Sequence, residues 1–165
     1  MTIATRDAHM PALGAHAREQ SGHELEAALV ELVDLSLLGK QLHWSVVGPF
    51  FRALHLHLDE LVDSWRELAD TVAERAVAIG FFPDGQAGAI AQASDIARVE
   101  RGPIEDAQVV RELTTRLAAV AERMRERMGR LAEIDGASED VLVEVVRALE
   151  QQLWMVRAQL PHEGA

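Results

Sequence analysis

The sequence predicts an all-α protein, a four-helix bundle with a long crossover, and three observations carry that prediction. Leucine and other apolar residues recur at three- and four-residue spacings in four long runs, the signature of helices with one buried face. Gly and Pro punctuate the boundaries between runs. One connection, between the second and third runs, is long enough to cross a bundle from end to end.

The first helix is expected from about Gly22 to Val47, with Leu25, Leu29, Leu32, Leu35 and Leu42 on its apolar stripe. Gly48-Pro49 breaks it, and a second run from about Phe50 to Ile79 carries Leu54, Leu58, Leu61, Trp65, Leu68 and Val72 before Gly80 and Pro83. Phe81 to Pro103 forms the crossover, in which AGAIAQAS can make one short helix. Pro103 suits the first turn of the third helix, with Glu105 and Asp106 favouring its positive end. That helix carries Leu113, Leu117, Val120, Met124, Met128 and Leu131, and Gly136 ends it. Ser138 is the expected N-cap of the fourth, whose stripe runs from Leu142 through Leu149 to Leu160. Two helices, a crossover and two more make the ferritin-like bundle plan. No strand signal competes with it. Residues 1–20 have no clear stripe and read as an N-terminal arm, mobile or used in assembly, and 21–165 as one domain.

Composition narrows the function. The 165 residues contain no cysteine, which removes disulfides, thiol catalysis and Cys-based zinc sites and fits a cytoplasmic protein. No basic start with an apolar core marks a secretory signal, and no apolar run is long enough to cross a bilayer. The net charge is −11, and Lys40 is the only lysine. Sequence-independent DNA binding needs many cationic contacts to phosphate, and neither end of the chain supplies a basic tail, so direct DNA binding is not expected.

The most informative pattern lies on the second helix. At about 100° per residue, His55, Asp59, Asp70 and Glu74 share one face, apart from the apolar stripe, so they should point out of the bundle core. Yet His55 and Glu74 stand roughly 28 Å apart along the axis, too far to meet at one ion. A second copy laid antiparallel about a two-fold axis near position 64.5 brings His55 opposite Glu74 and Asp59 opposite Asp70, twice. The same register sets Asp63 opposite Arg66 and predicts ion pairs between subunits there. Imidazole with carboxylate suits iron, manganese or zinc. A solvated acidic face is the plain alternative for an amphipathic helix.

The segments KQLHWSVVGPFFRALHLHLDE and DTVAERAVAIG, with LWMVRAQL in the last helix, resemble the Dps family of ferritin-like mini-ferritins. The resemblance runs from about Leu25 to Leu160. It implies a ferroxidase centre across a two-fold interface, with His43, His55 and Asp59 from one subunit and Asp70 and Glu74 from its partner as iron ligands. It adds His43, which lies on the first helix, and Trp44 beside it as either an electron-transfer or an interface residue. The implied chemistry is oxidation of Fe(II), usually by hydrogen peroxide, at dinuclear sites, with ferric oxide stored in a hollow homododecamer as protection against oxidative stress. Glu74 is the candidate bridge between two irons.

Glu133, Asp135, Glu139, Asp140 and Glu144 are candidates for an iron-attracting pore, Asp135 and Asp140 foremost, against the reading of an ordinary acidic helix start. His57 is expected to be a surface or packing residue, and His9, His16, His23 and His162 to have no ligand role. Two other functions compete. A conventional ferritin would need Glu-x-x-His pairs within one bundle, and no histidine here has Glu three residues before it. A non-enzymatic DNA-compacting protein would need the basic tails that this chain lacks.

Overall fold

The computed structural model describes residues 10–11 and 13–160; His9, His162 and half of the expected N-terminal arm lie outside them. The order is α1 (Ala15–Ser45), β1 (Val46–Val47), α2 (Phe51–Ala78), α3 (Ala87–Ala93), β2 (Ile104–Glu105), α4 (Asp106–Ala132) and α5 (Gly136–Arg157). α1 and α2 form one antiparallel hairpin, α4 and α5 the other, and the crossover between them carries the short α3.

One core runs the length of the bundle. Leu25, Leu32, Leu35 and Leu42 of α1 meet Leu58, Trp65 and Val72 of α2, with Leu113, Leu117, Met124, Leu142 and Leu149 closing the other side; all are fully enclosed. Each such side chain stabilises the fold by about 1.5–3 kcal/mol relative to exposure. Trp65 has a polar edge to satisfy in that core: its Nε1–H donates to Gln152 Oε1 at 2.7 Å, and Gln152 Nε2 donates to Ser64 Oγ at 2.9 Å. Gly39 lets α1 approach the indole, since a Cβ there would stand 2.6 Å from both Trp65 and Val62.

Several boundaries differ from the sequence expectation. α1 begins at Ala15, seven residues before Gly22, so part of the expected arm is helix. Its first turns carry little apolar periodicity, and packing of Leu13 and Leu25 on the core holds them. Pro103 is not in the first turn of α4: it precedes β2, which pairs in parallel with β1, Val46 with Ile104 and Val47 with Glu105. Two residues a side are too short to leave any alternation in the sequence. The N-cap of α5 is Asp135, not Ser138; its carboxylate accepts from Ala137 N–H at 3.3 Å and from Ser138 Oγ–H at 2.5 Å.

The turn before α2 is fixed from a distance. Buried Asp106 accepts from Phe50 N–H and from Ala107 N–H, both at 2.7 Å, which ties the start of α2 to the start of α4. Gly48, at φ 123°, allows that approach, because a Cβ would fall 2.7 Å from the Asp106 carboxylate. Arg116 holds the crossover, donating to Ala97 O at 2.6 Å and Arg98 O at 2.9 Å.

Candidate metal centre

The hairpin of α1 and α2 brings His43 beside His55. The rings stack with centroids 3.6 Å apart and planes 22° from parallel. Each ring is held by the other residue's backbone: His43 Nδ1 lies 2.9 Å from His55 O, and His55 Nδ1 lies 3.0 Å from His43 O. A carbonyl oxygen only accepts, so each Nδ1 carries a proton, and in the neutral ring each Nε2 then keeps its lone pair. That is the tautomer and orientation a metal ligand needs, with the supporting bond already made. The Phe51 ring also packs on His55, centroids 4.9 Å apart.

Asp59, one helical turn after His55, completes the group. Ligand atoms of His43, His55 and Asp59 lie within 4.8 Å of one another, the one such set of three or more among the described residues. Asp59 Oδ1 is 3.3 Å from His43 Nδ1 and is also paired with Lys40 Nζ. The Lys40 hydrogen bond holds the Asp59 carboxyl below its ordinary value; partial burial opposes this, and the charges of His43, Lys40 and His55 assist it. The carboxylate is therefore kept ionised beside two imidazoles.

Lys40 is the residue that sequence reasoning missed. Its signal was present: it is the sole lysine and stands three residues before His43, hence on the same face of α1. As a cation already seated on Asp59, it competes with any metal ion for that oxygen.

Asp70 and Glu74 are not part of this group. Both are exposed on α2, eleven and fifteen residues after Asp59, roughly 16 and 22 Å along the helix. One chain thus presents two separated half-sites on one helix, imidazole-rich at one end and carboxylate at the other. Arg66 and Asp63, near the midpoint, are exposed and reach each other within the chain at 4.0 Å. Trp44 is 71% exposed and packs on no core of its own chain.

The remaining candidates separate by their partners. Asp135 is engaged: Arg75 Nη2 donates to Asp135 Oδ2 at 2.7 Å and Arg75 Nε to Ser138 Oγ at 2.9 Å, so Asp135 is a structural cap rather than a free pore carboxylate. Asp140, Glu144 and Glu133 are exposed. His57 is half-buried beside Gln159, and His23 sits edge-on to Phe81 at 5.1 Å.

Comparison with known proteins gives the family. The ferritin-like domain family matches residues 22–162. The DNA protection during starvation protein of Mycolicibacterium smegmatis is 36% identical over 149 residues, 85% of this chain and 80% of the relative. DNA protection during starvation protein 2 of Deinococcus radiodurans is 34% identical over 90% of this chain, which spans 62% of that longer relative. The solved structure of Mycobacterium smegmatis Dps in its tetragonal form superposes with a TM-score of 0.90 at 31% identity, over 94% of each chain. With its two helical hairpins and long crossover, and with relatives of this closeness over most of its length, the chain belongs to the Dps family of ferritin-like proteins.

Proposed function

We propose that this mini-ferritin oxidises Fe(II) at dinuclear sites shared across a two-fold subunit interface and stores the ferric product inside a hollow dodecamer in the cytoplasm. The observation that carries this reading is the divided ligand set. His43 and His55, with both Nδ1 atoms committed to carbonyls, and ionised Asp59 make half of an iron site. The complementary carboxylates, Asp70 and Glu74, lie on the same face of α2 at the positions a two-fold axis near residue 64.5 would place opposite.

The donor set fits iron, which is the substrate here: imidazole and carboxylate bind Fe(II), and Glu74 has a second oxygen with which to bridge. Two Fe(II) ions give up one electron each, and one hydrogen peroxide takes both electrons with two protons and leaves as two waters, so no hydroxyl radical is released. Trp44, exposed beside His43, is placed to pack against the partner or to pass an electron. Asp140 and Glu144, exposed and one turn apart on α5, are the better pore candidates. Lys40 is the only lysine, and the charge of −11 disfavours the DNA-compacting alternative.

The test is anaerobic Fe(II) loading followed by peroxide, with ferric absorbance followed beside a His43→Ala, Asp70→Ala, Glu74→Ala variant. Rapid oxidation that the variant loses is the expected result. Equal rates in both proteins would reduce the Dps likeness to one of fold alone.

A further inference from the structure

We propose that the exposed apolar residues at the two ends of α2 close on each other across the subunit interface and seal the metal centre from bulk water. This rests on the two-fold reading above but concerns residues outside the ligand set. The start of α2 exposes Phe50 at 71% and Phe51 at 44%, next to Val47 at 37%. Its far end exposes Val77 at 47% and, just past the helix, Phe82 at 80%. Side chains of this size and exposure, grouped in patches, mark a surface made to be covered.

The occupant is a second copy of the chain, and the register identifies it. An axis near position 64.5 that sets His55 opposite Glu74 also sets Phe51 opposite Ala78 and Arg52 opposite Val77, so that Val47 and Phe82, just beyond the two ends of α2, come to the same edge of the interface. Each apolar patch meets the other kind, so a two-fold interface buries both, twice. The patches continue outward from the ligands on both sides: Phe51 already packs on the His55 ring, and Val77 lies one turn beyond Glu74. Phe82 is free for this use because its neighbour Phe81 turns inward against Gly22.

Covering Phe51 with Val77 and Phe82 of the partner would exclude water from the edge of His55. In the drier site each carboxylate–cation attraction is stronger, since the interaction grows as the local dielectric falls. Ions would then reach the centre from the other side rather than along this edge.

The absence of cysteine makes a direct test available. A Val47→Cys, Phe82→Cys double variant is treated with a short bis-maleimide, beside an Asp63→Cys single variant that can link only to its own copy across the axis. Within one chain the length of α2 holds positions 47 and 82 roughly 40 Å apart or more, so only linkage between subunits can form. The expected product is a covalent dimer of about twice the 18.1 kDa chain from both variants. A dimer from Asp63→Cys alone would keep the two-fold interface and overturn the clasp, leaving the aromatics to cover some other surface, such as the chain's own first nine residues. A dimer from neither would overturn the two-fold reading as well. For the sealing role, Phe82→Ser should weaken Co(II) binding about tenfold, as loss of an interface aromatic does, and Phe82→Leu much less. Unchanged Co(II) affinity in Phe82→Ser would overturn it.

Discussion

Asp59 holds the balance of the centre, because one oxygen serves both Lys40 and His43. In the metal-free chain Lys40 neutralises that carboxylate, and a divalent ion entering the site must displace the ammonium. A half-buried ion pair within reach of solvent is a modest barrier. Lys40→Met is therefore expected to tighten Co(II) binding by up to about fivefold, read by titration of the visible absorption. Lys40→Arg should not tighten it, since the competing charge remains. The same substitution to Met should raise the Asp59 carboxyl toward its ordinary value, visible in its side-chain carbon resonance on titration. Neither histidine faces the lysine in this way, because each Nδ1 is held by a backbone carbonyl and Nε2 is left for the metal.

At the scale of elements, the caps and close approaches decide where ligands stand. Asp135 starts α5 and ties it to α2 through Arg75, the residue next to Glu74. Burial pushes the Asp135 carboxyl up, but the hydrogen bonds from Ser138 and Arg75, with the Arg75 charge, outweigh it and leave the group below its ordinary value. A depressed carboxyl contributes stability above its unfolded value, near 3.9, and that stability is lost as the pH falls through the folded value. Asp135→Ala should cost about 1 kcal/mol at neutral pH in a denaturant titration. The gap from wild type should narrow as the pH falls below the ordinary carboxylate range, and a gap independent of pH would remove the ionic account. On the opposite hairpin face, Gly39→Ala should cost about 1–3 kcal/mol, because its methyl would overlap Trp65 and Val62. A loss well below that range would show that α1 and α2 can part without strain. Since His43 and His55 sit on these two helices, such parting should also loosen the stacked rings.

For the whole molecule, acidity and arginine act together. Apart from the Lys40–Asp59 pair, arginines join the helices: Arg125 grips both oxygens of Glu150, Arg130 both oxygens of Glu24, and Arg123 and Arg127 reach buried Glu31 from α4. The planar fork makes these paired contacts, which an ammonium cannot. Many of the positive charges are thus spent within the chain, and a gel-shift at low salt should show no retardation of linear DNA; retardation that disappears at high salt would reopen that function. The four helices, their stripes and the long crossover were legible in the sequence because an amphipathic helix repeats its apolar residue every three or four positions over many turns. The shared face of His55, Asp59, Asp70 and Glu74 was legible for the same reason, since helix geometry fixes angle and rise. Composition and spacing could not give the seat of His43 against His55, the grip of Lys40 on Asp59, the cap at Asp135 or the short pairing of Val46 with Ile104. Those contacts join residues far apart in the chain or too few to leave a period, and only the packing of α1 on α2, and of the crossover on both, brings them within bonding distance.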